Sequence, residues 1–170
     1  MAIPDMSQIS VLILMGSDSD APVMQAAVDV LRELEISSEM TVASAHRSPE
    51  RVTRLVRDAP GRGVKIYIVG AGAAAHLAGV VAAHTTAPVI GVPIDSSALK
   101  GLDALLSTVQ MPPGVPVATV SIGKPGATNA GVLAAQILAI GDPAVAARLE
   151  RYKHKLAEKV EQAAARLAGK

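Results

Sequence analysis

Residues 9–20 read ISVLILMGSDSD. Seven residues, Ile9 to Met15, form a short apolar run rich in β-branched and aliphatic side chains, and a glycine and four polar residues follow. Such a run, bounded by turn residues, predicts a strand buried on both faces. Beyond it Met24, Ala27, Val28, Leu31 and Leu34 fall on one face of a helix. Strand, polar loop and amphipathic helix form one β–α unit, and the rest of the chain repeats it.

Glu39 to Ala43 predicts a second strand, and Val52, Leu55, Val56 and Ala59 a helix with Ser48 at its N-cap and Pro49 at its first position. Val64 to Val69 predicts a third strand, followed by a Gly/Ala-rich turn and a helix to about Thr85. Pro88 to Val92 predicts a fourth strand, and Leu102, Leu105, Leu106 and Val109 the next helical face. A fifth strand is expected over Val117 to Ile122 and a helix over Asn129 to Ile140. Gly141-Asp142-Pro143 stops that helix and starts another, whose stripe is Val145, Leu149, Tyr152, Leu156, Val160, Ala163 and Leu167. Five such units predict an α/β three-layer αβα sandwich around a parallel sheet. Its flavodoxin-like order would be 2-1-3-4-5. No composition break divides the chain, so residues 1–170 read as one domain, with a core at about 9–140 and a long C-terminal helix at about 142–168.

Composition narrows the function. Of 170 residues, two are aromatic (Tyr67 and Tyr152) and 31 are alanine, with no Phe, Trp or Cys. Thiol chemistry and disulfides are excluded, and base stacking on aromatic platforms is not expected. A net charge of +1 gives no bulk attraction to nucleic acid or membrane. No apolar run reaches membrane-spanning length and no signal peptide opens the chain, so a cytoplasmic location is expected. A core of small side chains requires close backbone approach. The mean hydropathy of +0.37 is high for a small monomer. It predicts apolar surface buried between subunits, with small-residue helices docked there.

Ligands of doubly wound sheets sit beyond the carboxyl ends of the strands. Three loops are expected there. In GSDSD, Ser17 and the free amides of a helix start suit an anion, and Asp20 suits sugar hydroxyls; the same residues also read as a helix cap. SAHRSPE carries a titrating imidazole, His46, beside a fixed cation, Arg47; it also reads as a capped turn. Residues 70–75, GAGAAA, satisfy the dinucleotide pattern G-x-G-x-x-A, but after the third strand rather than the first. Ser97 to Lys100 fits S-x-x-K without its companion motifs. His76 and His84 read as structural histidines in an apolar helix, His154 as exposed, and no histidine pair has zinc spacing, so no metal site is expected.

Taken in order, GSDSD, SAHRSPE, GAGAAAHLAG, PVIGVP, LLSTVQMPPGVPVATVSIG and NAGVLAAQIL resemble the N5-carboxyaminoimidazole ribonucleotide mutase family of purine biosynthesis, over residues 9–150. That family usually reads GAGGAAHLPGM where Ala73, Ala78 and Val80 stand here, and often carries a large residue where Ala21 stands. The resemblance implies a reversible carboxyl shift from the exocyclic nitrogen to ring carbon C4, through transient CO2, with no cofactor. It implies His46 as general acid/base, Ser17 and Arg47 at the phosphate, and Asp20 at the ribose. Ser44 and the backbone near Gly72 and Ala73 would face the carboxyl group. It also implies a homo-octamer. A related branch carboxylates aminoimidazole ribonucleotide directly with CO2, and a non-catalytic nucleotide-binding module remains the alternative of another class.

Overall fold

The computed structural model describes residues 8–169. Five parallel strands form one sheet in the order β2-β1-β3-β4-β5. They are β1 (Val11–Met15), β2 (Ser38–Val42), β3 (Ile66–Gly72), β4 (Val89–Ile94) and β5 (Ala118–Thr119). Six helices connect and follow them: α1 (Ala21–Glu33), α2 (Pro49–Asp58), α3 (Leu77–Ala83), α4 (Leu102–Val109), α5 (Gly123–Ala139) and α6 (Pro143–Ala168). No helix among the described residues is long and apolar enough to cross a membrane.

Every residue of β1 is buried, as the continuous apolar run requires for a central strand covered on both faces. Alternation along the strands divides the interior into two cores. Val11, Ile13, Ile66, Ile68, Ile90, Val92 and Ile94 meet α1, α5 and the start of α6 on one face. Leu12, Leu14, Tyr67, Val69 and Val89 meet α2, α3 and α4 on the other. Tyr67 is fully buried, and its hydroxyl donates to the carbonyl of Val56 at 3.2 Å, which keeps its polar end satisfied.

Four differences from the expected elements matter. The strand predicted over Val64 to Val69 continues through Gly70, Ala71 and Gly72, so these residues pair with β4 instead of forming a turn. The helix after it ends at Ala83. The fifth strand holds only Ala118 and Thr119, because it is an edge strand paired on one side, and Gly123 (φ 73°) turns the chain into a helix soon afterwards. That helix, α5, therefore starts six residues before the predicted Asn129.

The buried stripe of α5 is Gly126, Ala127, Ala130, Gly131, Ala134 and Ala135, and it serves the chain's own core. A Cβ on Gly131 would lie 3.0 Å from the carbonyl oxygen of Ala27 and 3.0 Å from Cβ of Val30 on α1. The two helices touch backbone to side chain there. The large apolar side chains left exposed are Leu99, Leu102, Leu106 and Val109 around α4, Ile140 at the end of α5, and Leu156, Val160 and Leu167 on the outer half of α6.

Gly131→Val is expected to destabilise the fold by about 1–3 kcal/mol through overpacking against α1. Gly141→Ala, where an added Cβ meets nothing within 4 Å, is expected to stay within about 0.5 kcal/mol of the parent. Chemical denaturation of the two variants measures the contrast.

Candidate active site

A pocket of about 200 Å³ opens at the carboxyl ends of the strands. The loop after β1 contributes Gly16, Ser17, Ser19 and Asp20, and the loop after β2 contributes Ser44, Ala45, His46 and Arg47. The end of β3 and its loop supply Ala71, Gly72, Ala74 and Leu77, and Ser96 arrives from beyond β4. The sheet order explains this convergence. β1 and β3 are neighbours, but their following helices cover opposite faces, so the loops part and leave a crevice between them.

The first loop is not a simple helix cap. Ser17 caps only a 3-10 turn over Asp18–Asp20: its Oγ accepts from the N–H of Ser19 at 3.3 Å. The hydroxyl of Ser19 also donates to Ser17 Oγ at 2.9 Å, and Ser17 Oγ donates to Asp18 at 3.2 Å. Asp20 stands at the N-cap of α1 without making a side-chain cap bond. It is nevertheless 6% exposed, and burial is the main cause that holds its carboxyl above the usual value of 3.8. A buried carboxylate that caps nothing and lines a pocket is available to a ligand.

On the second loop, Arg47 reaches across to the first. Its Nη2 donates to the carbonyl of Gly16 at 3.1 Å and its Nε to Ser44 Oγ at 3.4 Å, while its own N–H donates to Ser44 Oγ at 3.2 Å. Ser44 therefore orients the arginine as well as lining the pocket. Ser48 is the N-cap of α2 by backbone position, but its hydroxyl donates to the carbonyl of Ser44 instead of capping. Both serines brace the turn that presents His46 and Arg47 to the crevice.

His46 does not stand alone. Its Nε2 lies 2.8 Å from Nδ1 of His76, with the rings edge-on at a centroid distance of 5.0 Å. One of the facing nitrogens must donate and the other accept, so the contact holds a single proton. His76 is the N-cap residue of α3 and is exposed, which corrects its reading as a structural histidine within an apolar helix. Two chemistry-bearing side chains escaped sequence reasoning, His76 and Ser96, as did the apolar lining residues Ala45, Ala71, Ala74 and Leu77. The signal for His76 was its place immediately after the glycine-rich loop; Ser96 carried none.

Gly72 lines the pocket, and Ala73 beside it does not. Ala73 instead has φ 52°, a left-handed conformation in which a Cβ costs about 1 kcal/mol. This is the position where the resembled family carries glycine. The G-x-G-x-x-A match forms no phosphate cradle, because its first three residues are strand and α3 begins only at Leu77. Ser97 accepts from the N–H of Leu99 at 3.1 Å, a turn bond that accounts for the S-x-x-K serine. Among the described residues no group of three or more His, Asp or Glu is placed to hold a metal ion.

A five-stranded parallel sheet thus brings an imidazole pair, a guanidinium and a buried carboxylate around one crevice, an α/β fold with a polar pocket at the carboxyl ends of its strands. The family model described as AIR carboxylase matches residues 10–159. The chain belongs to that family. It is 56% identical over 144 residues to the N5-carboxyaminoimidazole ribonucleotide mutase of Pyrococcus abyssi, which covers 85% of this chain and 82% of that one. Against the mutase of Thermotoga maritima it is 52% identical over 155 residues, 91% of this chain and 90% of the other. The crystal structure of Treponema denticola PurE superposes with a TM-score of 0.84 at 28% identity, covering 94% of this chain and 99% of that one.

The raised carboxyl of Asp20 has a thermodynamic sign. The folded state binds its proton more tightly than the unfolded chain, so stability is greatest below the unfolded value near 3.8 and falls as pH rises through the raised folded value. Asp20→Asn is therefore expected to raise the melting temperature of the ligand-free protein at pH 7, with the gain shrinking toward pH 4. Thermal melts of both proteins across that range check it.

Proposed function

We propose that this chain is an N5-carboxyaminoimidazole ribonucleotide mutase. It interconverts N5-carboxyaminoimidazole ribonucleotide and 4-carboxy-5-aminoimidazole ribonucleotide in de novo purine synthesis. The observation that carries this reading is the position of His46, in one pocket with Arg47, Asp20 and Ser17 and 2.8 Å from His76. Family membership and mutase-named relatives at 52–56% identity support it.

In this mechanism Ser17 and Arg47 hold the phosphate and Asp20 accepts from the ribose hydroxyls. Protonated His46 gives its proton to the exocyclic nitrogen as the N–CO2 bond breaks, releasing CO2 and leaving a neutral amine. C4 of the electron-rich ring then attacks the trapped CO2, and His46, now neutral, removes the C4 proton to restore the aromatic ring. One histidine serves both steps because donation leaves it as the base needed next. His76 holds the ring of His46 in orientation through the nitrogen–nitrogen contact. Ser44 and the backbone at Gly72 wall the carboxyl group, and Ala73, outside the pocket lining, only sets the turn beside Gly72. Confinement of CO2 keeps recapture intramolecular in effect. No cofactor is required.

The proposal extends to the whole chain. Residues 1–170 act as one cytoplasmic catalytic domain, and the apolar surfaces on α4 and α6 are buried in a homo-octamer. A second reading, direct carboxylation of aminoimidazole ribonucleotide by CO2, is favoured by the description of the matching family as AIR carboxylase. The nucleotide-module alternative loses support because β3 runs through its motif.

Turnover of N5-carboxyaminoimidazole ribonucleotide without added bicarbonate is expected. Activity only on aminoimidazole ribonucleotide plus bicarbonate would favour the carboxylase, and activity on neither would remove both enzymes. His46→Asn is expected to lower kcat at least about 10²-fold, with ribonucleotide affinity retained. Near-normal turnover would take His46 out of its role. Light scattering at micromolar concentration should give eight times the chain mass; a monomer would overturn the assembly.

A further inference from the structure

Ser96 lies outside the three loops that the motifs mark. It follows β4, two residues past Ile94, which pairs with Gly72 at the end of β3. A Cβ placed on Gly72 would lie 1.8 Å from Ser96 Oγ and 2.9 Å from its Cβ. The hydroxymethyl group of Ser96 therefore fills the space that glycine leaves open. Gly72 has the same strand parity as Ile66 and Ile68, whose side chains face α1 and α5. Ser96 is thus seated on the α1 side of the crevice, the side from which Asp20 enters.

The hydroxyl there has no structural task. Ser97, next in the chain, commits its own hydroxyl to a turn bond with Leu99. Ser96 Oγ makes no hydrogen bond to any other described residue, and it lines the same pocket as Ser17, Asp20, His46 and Arg47. His46 and His76 stand toward α3, on the opposite side of the sheet.

We propose that Ser96 is a substrate-binding residue whose hydroxyl bonds the sugar of the ribonucleotide from the same side as Asp20. This deepens the mutase reading and rests on it. The two groups are complementary: ionised Asp20 only accepts, whereas a serine hydroxyl both donates and accepts, so together they serve neighbouring sugar hydroxyls that need both. Gly72 has a second duty beside its place in the pocket wall, because its missing side chain is what seats Ser96.

The test is Ser96→Ala beside the parent protein. It reads the Kd for aminoimidazole ribonucleotide by calorimetry and kcat and KM in the mutase assay, with thermal melts to confirm folding. Kd and KM are expected to rise together by about 3- to 10-fold, the loss of one neutral hydrogen bond, while kcat falls by a smaller factor. Gly72→Ala, which keeps the hydroxyl but drives it from its seat, is expected to weaken binding at least as much. Unchanged Kd and KM in Ser96→Ala, with the parent active, overturn the role of Ser96 and leave the mutase reading standing. A fall in kcat alone overturns it too, because that places the hydroxyl at the reacting carbons. A folded Gly72→Ala that binds like the parent also counts against the proposal. A parent protein that neither binds nor turns over the ribonucleotide removes both readings.

Discussion

β1 is hydrogen-bonded to a parallel strand on each edge, and the rest of the molecule is arranged around that double pairing. Val11–Met15 pairs with Ser38–Val42 on one side and with Ile66–Gly70 on the other. A parallel neighbour cannot be reached by a tight turn; the chain must cross over through a helix, and such crossovers are right-handed. Growth from β1 to β2 and then back past β1 to β3 reverses direction, so α1 and α2 are forced onto opposite faces. The loops leaving β1 and β3 then diverge. The crevice between them is a consequence of hydrogen-bond topology, before any functional side chain is placed in it.

The poverty in aromatic side chains shapes what fills that frame. Tyr67 is the one fully buried aromatic residue, with Tyr152 packed half-buried against the other core, and elsewhere native density is reached by letting backbones come close. Gly131 lets α5 rest on α1, and Gly72 lets Ser96 rest on β3. Recognition follows the same economy. No indole or phenyl lines the pocket; its lining is hydroxyls, a carboxylate, a guanidinium, one imidazole and close main chain. Four of the alanines, Ala127, Ala130, Ala134 and Ala135, line the inner face of α5 and let it lie close on its neighbours.

Ala73 shows a cost concentrated where the site is built. Its left-handed backbone lies where the chain turns out of β3, just before Ala74 and Leu77 line the pocket. Glycine would take that conformation freely, and alanine takes it under strain. Asp20 carries a cost of another kind, a carboxylate desolvated by burial that the backbone of Ser17 offsets only in part. Both features oppose stability, and both lie at the crevice.

Much of this was legible in the residues. Short apolar runs bounded by glycine and polar loops located β1, β3 and β4 within about two or three residues, because burial on both faces leaves a continuous apolar signature; β2, a half-buried edge strand, was located as closely without one. The loops after β1 and β2 announced Ser17, Asp20, His46 and Arg47 by residue type alone. The end of β3 was not legible, since Gly70-Ala71-Gly72 reads as a turn and only pairing with β4 makes it strand. The edge strand β5 was overread, because its apolar run continues into the helix entry. The meeting of His46 with His76, and of Gly72 with Ser96, belongs to the tertiary structure. Those partners are 30 and 24 residues apart, and no local periodicity links them. The sequence by itself determined which segments could be strands and which loops held chemistry, through burial patterns and side-chain identity. Only the register of parallel strands decided which loop ends share a crevice, because that register is set by long-range hydrogen bonds.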